Sequence, residues 1–137
     1  MVMNKFYLGV DPGRSKTGLA LVDCEGKILS LRIADSQNIH KEILDFVKGN
    51  CPAQIVLGNG TNSSNIGAVV QNALPDVKVT VVEEAHSTEE ARALYWQENP
   101  PTGLKKLVPL GMLVPSVPLD AYAAVILVRR FLEANDE

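Results

Sequence analysis

Cysteine is scarce in this chain, long apolar runs are missing and positive charge is not in excess, and each shortage narrows what its 137 residues can do. The two cysteines, Cys24 and Cys51, stand apart without metal-ligand spacing, so neither a disulfide framework nor a thiolate metal site is expected. They read as reduced thiols used for packing. The longest uninterrupted apolar segment falls within 121–128, far short of the ~20 residues that span a bilayer. No leader with a charged, an apolar and a small-residue part opens the sequence, so no membrane partner and a cytoplasmic location are expected. The formal net charge of -3 lacks the broad basic footprint of many nucleic-acid binders. It does not exclude such a partner, because an acidic metal site carries negative charge that bound cations offset. There is no internal repeat and no low-complexity segment.

What is present is apolar material, 46% of the residues, enough for the core of one domain spanning 1–137. Residues 6–10, 17–22 and 28–33 read as three strands, joined by the Pro12-Gly13 turn and by hairpin-type residues at 23–27, which makes an antiparallel meander. Ile39, Ile43, Phe46 and Val47 then recur at helical spacing, with Gly49, Asn50 and Pro52 as the stop signal. A short strand at 54–57 ends at Gly58-Asn59-Gly60-Thr61, and Ile66, Val69, Val70 and Leu74 mark a second helix before Pro75. The Val-rich run 77–82 has the composition of a buried parallel strand. Ser87 or Thr88, with acids following, starts a third helix that ends near Asn99-Pro100-Pro101. A proline-rich stretch holding Lys105 and Lys106 follows, long enough to suggest a functional loop, and 119–133 forms the last helix. This order predicts an α/β fold: a mixed five-stranded sheet flanked by helices on both faces, in the order of a ribonuclease H-like sheet.

The chemistry-bearing residues are carboxylates at strand ends. Asp11 precedes Pro12, which pushes it to extended backbone, so the first strand is expected to close on an acid. Asp is also a common turn-former, and that reading stays open for this stretch alone. Glu83 and Glu84 end the 77–82 strand, and Asp120 falls in the first turn of the final helix. The carboxyl ends of parallel strands open onto one crevice, and a helical side chain leans toward its helix amino end, so the three acids are placed to converge. Hard oxygen ligands suit Mg²⁺ or Mn²⁺. Two such ions about 4 Å apart would activate a water and stabilise a leaving oxygen in phosphodiester cleavage. Each acid also has a plainer reading as a helix-dipole partner or helix starter, and strand alternation sends Glu83 and Glu84 to opposite faces.

Gly9-Val10-Asp11-Pro12-Gly13 with Gly18, the Gly58-Asn59-Gly60-Thr61 turn, the run from Val82 through Ala91, and Leu119-Asp120-Ala121-Tyr122-Ala123-Ala124 together resemble the YqgF family. This family is the branch of ribonuclease H-like nucleases related to the RuvC Holliday junction resolvases. The resemblance runs over nearly the whole chain. It implies a metal-dependent endonuclease acting on branched DNA or on precursor ribosomal RNA, with Asp11, Glu84 and Asp120 as catalytic and metal-binding acids. RuvC resolvases carry their second acid at the end of the fourth strand, where this chain has Gly58-Asn59. YqgF proteins carry an Asp-Glu-Arg triplet after the fifth strand, where this chain has Glu83-Glu84-Ala85. The Gly58-Asn59-Gly60-Thr61 turn is similar to the YqgF-like domain of the Tex transcription accessory proteins, which keeps a non-catalytic nucleic-acid-binding module as the alternative.

Substrate contacts are expected from small basic clusters and from turn donors: Arg14 and Lys16, Lys105 and Lys106, and the polar groups of Thr17, Asn59 and Thr61. Solvated surface and turn chemistry explain the same residues without a ligand. His86 reads either as a general acid or phosphate ligand, or as a surface histidine. Tyr95 and Trp96 read as core. Paired cuts across a junction need two sites, so a homodimer would fit a resolvase. Asp-Pro-Gly followed by Thr17-Gly18 also resembles the first phosphate loop of sugar kinases and actin-like proteins. A chain of this length is expected to lack the second domain that encloses their nucleotide.

Overall fold

Alternation organises everything that follows, because the strands bury both faces with different residues. The computed structural model describes residues 5–60, 62–109 and 118–135, without the side chain of Lys105. Strands β1 (Phe6–Asp11), β2 (Lys16–Asp23) and β3 (Ile28–Asp35) form an antiparallel meander. Helix α1 (Ile39–Val47) leads to β4 (Gln54–Gly58), α2 (Ser63–Ala73) leads to β5 (Val79–Val82), and α3 (Ser87–Glu98) and α4 (Asp120–Ala134) complete the order. β4 and β5 run parallel to β1, and the sheet order is β3-β2-β1-β4-β5. The mixed five-stranded sheet with helices on both faces is as the sequence predicts.

On one face Leu8, Val10, Leu19, Ile55 and Leu57 pack against Ile39, Ile43, Phe46, Ile66 and Val70 of α1 and α2. On the other, Ala20, Val22 and Val56 meet Ala91 and Leu94 of α3 and the apolar stripe of α4 from Ala123 to Phe131. Helix α4 lies close to the sheet here. A Cβ on Gly9 would collide with the Ala124 carbonyl and come within 2.8 Å of Val128 Cγ2, and one on Gly18 would collide with the Asp120 backbone.

Local punctuation follows the residues. Asp23 Oδ1 accepts from the Glu25 and Lys27 amides at 2.9 and 2.8 Å, and Gly26 at φ 88° completes the β2–β3 turn. The left-handed stop of α1 begins on Lys48 (φ 48°), one residue ahead of Gly49. β5 is shorter than the Val-rich run, because the Val77 amide bonds the Leu74 carbonyl at 3.2 Å and leaves the ladder to begin later. α3 starts as expected at Ser87, but His86 (φ 64°) is its N-cap and gives no side-chain cap bond.

Both cysteines correct the packing expectation. Cys24 lies in the β2–β3 turn and Cys51 in the α1–β4 connection, and both thiols are exposed, because neither connection faces the core. Tyr95 and Trp96 are buried, with their rings edge-on at 4.9 Å. No helix among the described residues is long and apolar enough to cross a membrane.

Candidate active site

Asp11 closes β1 on the face that α4 covers, since it alternates with Val10 and shares the parity of Gly9. Directly opposite it in β2 is Gly18, and on its other side β4 ends with Gly58, one step past the Val10–Leu57 pair. These glycines let other acids in. The absent side chain at Gly18 admits the first turn of α4, which begins with Asp120. The absent side chains at Gly58 and Gly60 leave the space that the Glu84 carboxylate fills: a Cβ on Gly58 would lie 2.7 Å from Glu84 Cγ, and one on Gly60 2.9 Å from its Cδ. Neither glycine has a positive φ, so space rather than turn conformation is what their missing side chains provide.

The result is a crowded acidic end of the sheet. Burial, a side-chain hydrogen bond with Glu84, and the negative charges of Glu84 and Asp120 together push the Asp11 carboxyl up to about 8. Burial also raises Asp120. Glu84 Oε1 is buried with no hydrogen-bond partner. An unpartnered buried carboxylate oxygen is costly unless something positive reaches it. Glu83 turns outward and is exposed, while its backbone carbonyl accepts from Arg130 Nη1 at 2.7 Å. Arg130 also pairs with Glu90 in the first turn of α3.

The donor set fits a hard divalent cation. Among the described residues no three His, Cys, Asp or Glu side chains are arranged to grip one ion together. Asp11 shares a side-chain hydrogen bond with Glu84, whereas Asp120 acts on Asp11 through its charge alone. Mg²⁺ needs only one or two carboxylates when waters and substrate phosphate complete its octahedron. The Asp11–Glu84 pair with its unpartnered oxygen meets that requirement, with Asp120 alongside.

The remaining predicted contacts divide. Arg14 in the β1–β2 turn and Lys16 at the start of β2 are exposed, and the turn is tied down by Ser36 Oγ and Asn62 Nδ2, both donating to the Gly13 carbonyl at 2.8 and 3.1 Å. Thr17 is a correction: it is fully buried, with its hydroxyl 2.7 Å from Ser36 Oγ, because it shares the α1/α2 face with Leu19. Asn59 is exposed, and its Oδ1 accepts from the Glu84 amide at 2.9 Å. The His86 ring is 80% exposed and 3.9 Å from Glu89. Lys106 is exposed in the short helical turn Gly103–Leu107. Thr61 and the side chain of Lys105 lie outside the described residues. Sequence reasoning missed Ser36, Asn62 and the grip of Arg130, since contacts between distant segments leave no local pattern. The Gly-x-Gly spacing at a strand end was the available signal for the Glu84 seat.

No family model matches the chain, and no curated protein matches it in sequence. Solved structures do match it. The Thermus thermophilus RuvC structure superposes with a TM-score of 0.59 at 18% identity, covering 94% of each chain. The fowlpox virus resolvase, solved in complex with substrate Holliday junction DNA, gives a TM-score of 0.58 at 12% identity, covering 93% of this chain and 99% of its own. The fold is ribonuclease H-like. Within this frame Asp11 closes the central strand β1, Glu84 follows the carboxyl end of the edge strand β5 and Asp120 opens α4, at the sheet end where ligands bind in open α/β sheets. A cavity of about 850 Å³ around Tyr7, Cys24, Arg129 and Phe131 lies at the other end of β1 and contains none of the predicted site residues.

Proposed function

We propose that this protein is a metal-dependent endonuclease of the YqgF type that hydrolyses phosphodiester bonds in structured nucleic acid, either branched DNA such as a Holliday junction or precursor ribosomal RNA. One observation carries the reading: Asp11 is flanked by Gly18 and Gly58, and through those two gaps α4 brings Asp120 and the β5 end brings Glu84. Such crowding of like charges destabilises a metal-free domain and is understandable as a cation site. The matched folds of RuvC and of a resolvase solved on junction DNA support a branched nucleic acid as substrate.

Asp11 and Glu84 would hold Mg²⁺ or Mn²⁺, one ion or two, with Asp120 completing the negative rim. When bound, the metal supplies an activated water and stabilises the leaving oxygen. The protein's own part is electrostatic and positional. Asp11 must give up the proton that its raised pKa favours, and a cation at the pair is what makes the ionised form stable there. Arg14, on a turn held by Ser36 and Asn62, and Lys16, where that turn enters β2, would neutralise backbone phosphates beside the acids. A second copy of the chain would supply the second cut at a junction.

The test is cleavage of a labelled panel of four-way DNA junctions, duplex DNA and structured precursor ribosomal RNA with Mg²⁺ or Mn²⁺, with Asp11→Asn as control. Metal-dependent cutting of one substrate class by the wild type and none by the variant is expected. Full activity in Asp11→Asn overturns the assignment of the site. Salt-sensitive binding with no cutting by the wild type would instead favour a non-catalytic module related to the YqgF-like domain of Tex, a reading that Ala85 in place of the triplet arginine favours.

A further inference from the structure

The register of β4 and β5 ends at the Gly58–Val82 pair. Beyond it the chain of β4 leaves through Gly60 toward α2, and that of β5 leaves through His86 into α3. Two hydrogen bonds nevertheless continue the pairing. The Asn59 amide donates to the Val82 carbonyl at 3.1 Å, and the Glu84 amide donates to Asn59 Oδ1 at 2.9 Å. In a parallel ladder a residue donates to the carbonyl one before its partner and accepts from the amide one after it. Asn59 therefore stands opposite Glu83, with its side-chain oxygen doing what its own backbone carbonyl would do in a longer strand.

We infer that Asn59 is a positioning residue for Glu84, acting as a side-chain extension of the β4 ladder. The consequence is parity. Val82 faces α4, and a ladder prolonged to residue 84 puts Glu84 on that same face, toward Asp11, and sends Glu83 outward. Arg130 Nη1 holds the Glu83 carbonyl at 2.7 Å, so the acid-bearing segment is held on both sides. Without the Asn59 acceptor, the segment leaving β5 loses its last tie to β4 immediately before the carboxylate that must be aimed. This role uses the carboxamide oxygen as an acceptor, whereas the phosphate contact expected of Asn59 from sequence would be donated by Nδ2.

The inference rests on the proposed nuclease reading for its kinetic arm and on the metal-holding part of that reading for its Mn²⁺ arm, and is independent of both for hydrogen exchange. Asn59→Asp keeps the acceptor and adds a negative charge; Asn59→Ala removes the acceptor. In the full chain, amide hydrogen exchange at Glu84 is expected to quicken about tenfold in Asn59→Ala and stay near wild type in Asn59→Asp. Affinity for Mn²⁺ alone is expected to fall about 10–100-fold in the alanine variant, as for loss of a support behind a metal ligand, and to be retained in the aspartate variant. Cleavage is expected to lose kcat by a similar factor in Asn59→Ala, with KM little changed. Unchanged Glu84 exchange and unchanged Mn²⁺ affinity in Asn59→Ala overturn the inference. So does the opposite ranking, in which Asn59→Asp raises KM more than Asn59→Ala and kcat is intact, since a phosphate contact predicts that. If the wild type cuts nothing, the nuclease reading fails, while exchange and Mn²⁺ binding still decide the role of Asn59.

Discussion

The two faces of one sheet are built to opposite specifications. Toward α1 and α2, β1, β2 and β4 present Leu8, Val10, Leu19, Ile55 and Leu57, each almost completely buried. Toward α3 and α4, the same strands present Gly9, Asp11, Gly18 and Gly58. The first face fills volume. The second also carries a core of Ala20, Val22 and Val56, but around Asp11 it removes volume, so that a helix backbone and a carboxylate can approach. Alternation lets one short strand serve both purposes, and stability and chemistry are thereby assigned to neighbouring residues pointing opposite ways.

The sharpest way to test that division is at Asp11. Asp11→Asn is expected to lower metal-dependent cleavage by at least about 10³-fold while leaving the protein folded, measured as initial rates beside a circular dichroism melt. Leu8→Ala, three residues earlier on the opposite face, is expected to cost about 2–5 kcal/mol in urea denaturation and to spare the specific activity of the folded fraction. Equal losses of activity in the two variants would erase the distinction between the faces. Gly58→Ala should fall between them. It is expected to displace the Glu84 carboxylate, weakening Mn²⁺ binding and costing about 1–3 kcal/mol by overpacking, read by titration calorimetry and by denaturation.

The metal-free protein supplies a pH test of the acidic face. Burial and the neighbouring acids push the Asp11 carboxyl in the folded state up to about 8 from its ordinary value of 3.8, so the folded state binds more protons than the unfolded one between those values. Its contribution to stability is complete below pH 3.8 and is lost as pH rises through 8. In EDTA, wild-type stability is expected to decline across this window by on the order of 3 kcal/mol relative to Asp11→Asn, and added Mg²⁺ should reduce the difference. Urea denaturation of both proteins at pH 5 and pH 8.5 measures it. The smallest effect is expected at the thiols: Cys24→Ser and Cys51→Ser should change stability by no more than about 0.5 kcal/mol, because both are exposed in connections.

The succession of strands and helices was legible because periodicity reports which residues leave water, and the apolar residues of the strands and helices fall in step with that rule. Asp11 was legible as a strand end through Pro12. Thr17 was misread because its polarity suggested a ligand, whereas a buried hydroxyl is satisfied by another buried hydroxyl, Ser36, nineteen residues away. The cysteines were misread from residue type alone, without weighing that each sits among turn-forming neighbours. Asn59 was legible as polar and close to the site, but its engagement with Glu84 depends on the relative placement of β4 and β5, which no local spacing encodes.

The seat of α4 on Gly9 and Gly18 has a further consequence for how the acidic cluster comes into being. Asp120 lies 109 residues beyond Asp11 in the chain, so their meeting closes a loop almost as long as the domain, at an entropic cost that the docking of α4 along the sheet must offset. A chain in which α4 has come away keeps two of the acids and loses the third. Completion of the cluster is therefore a report on completion of the fold.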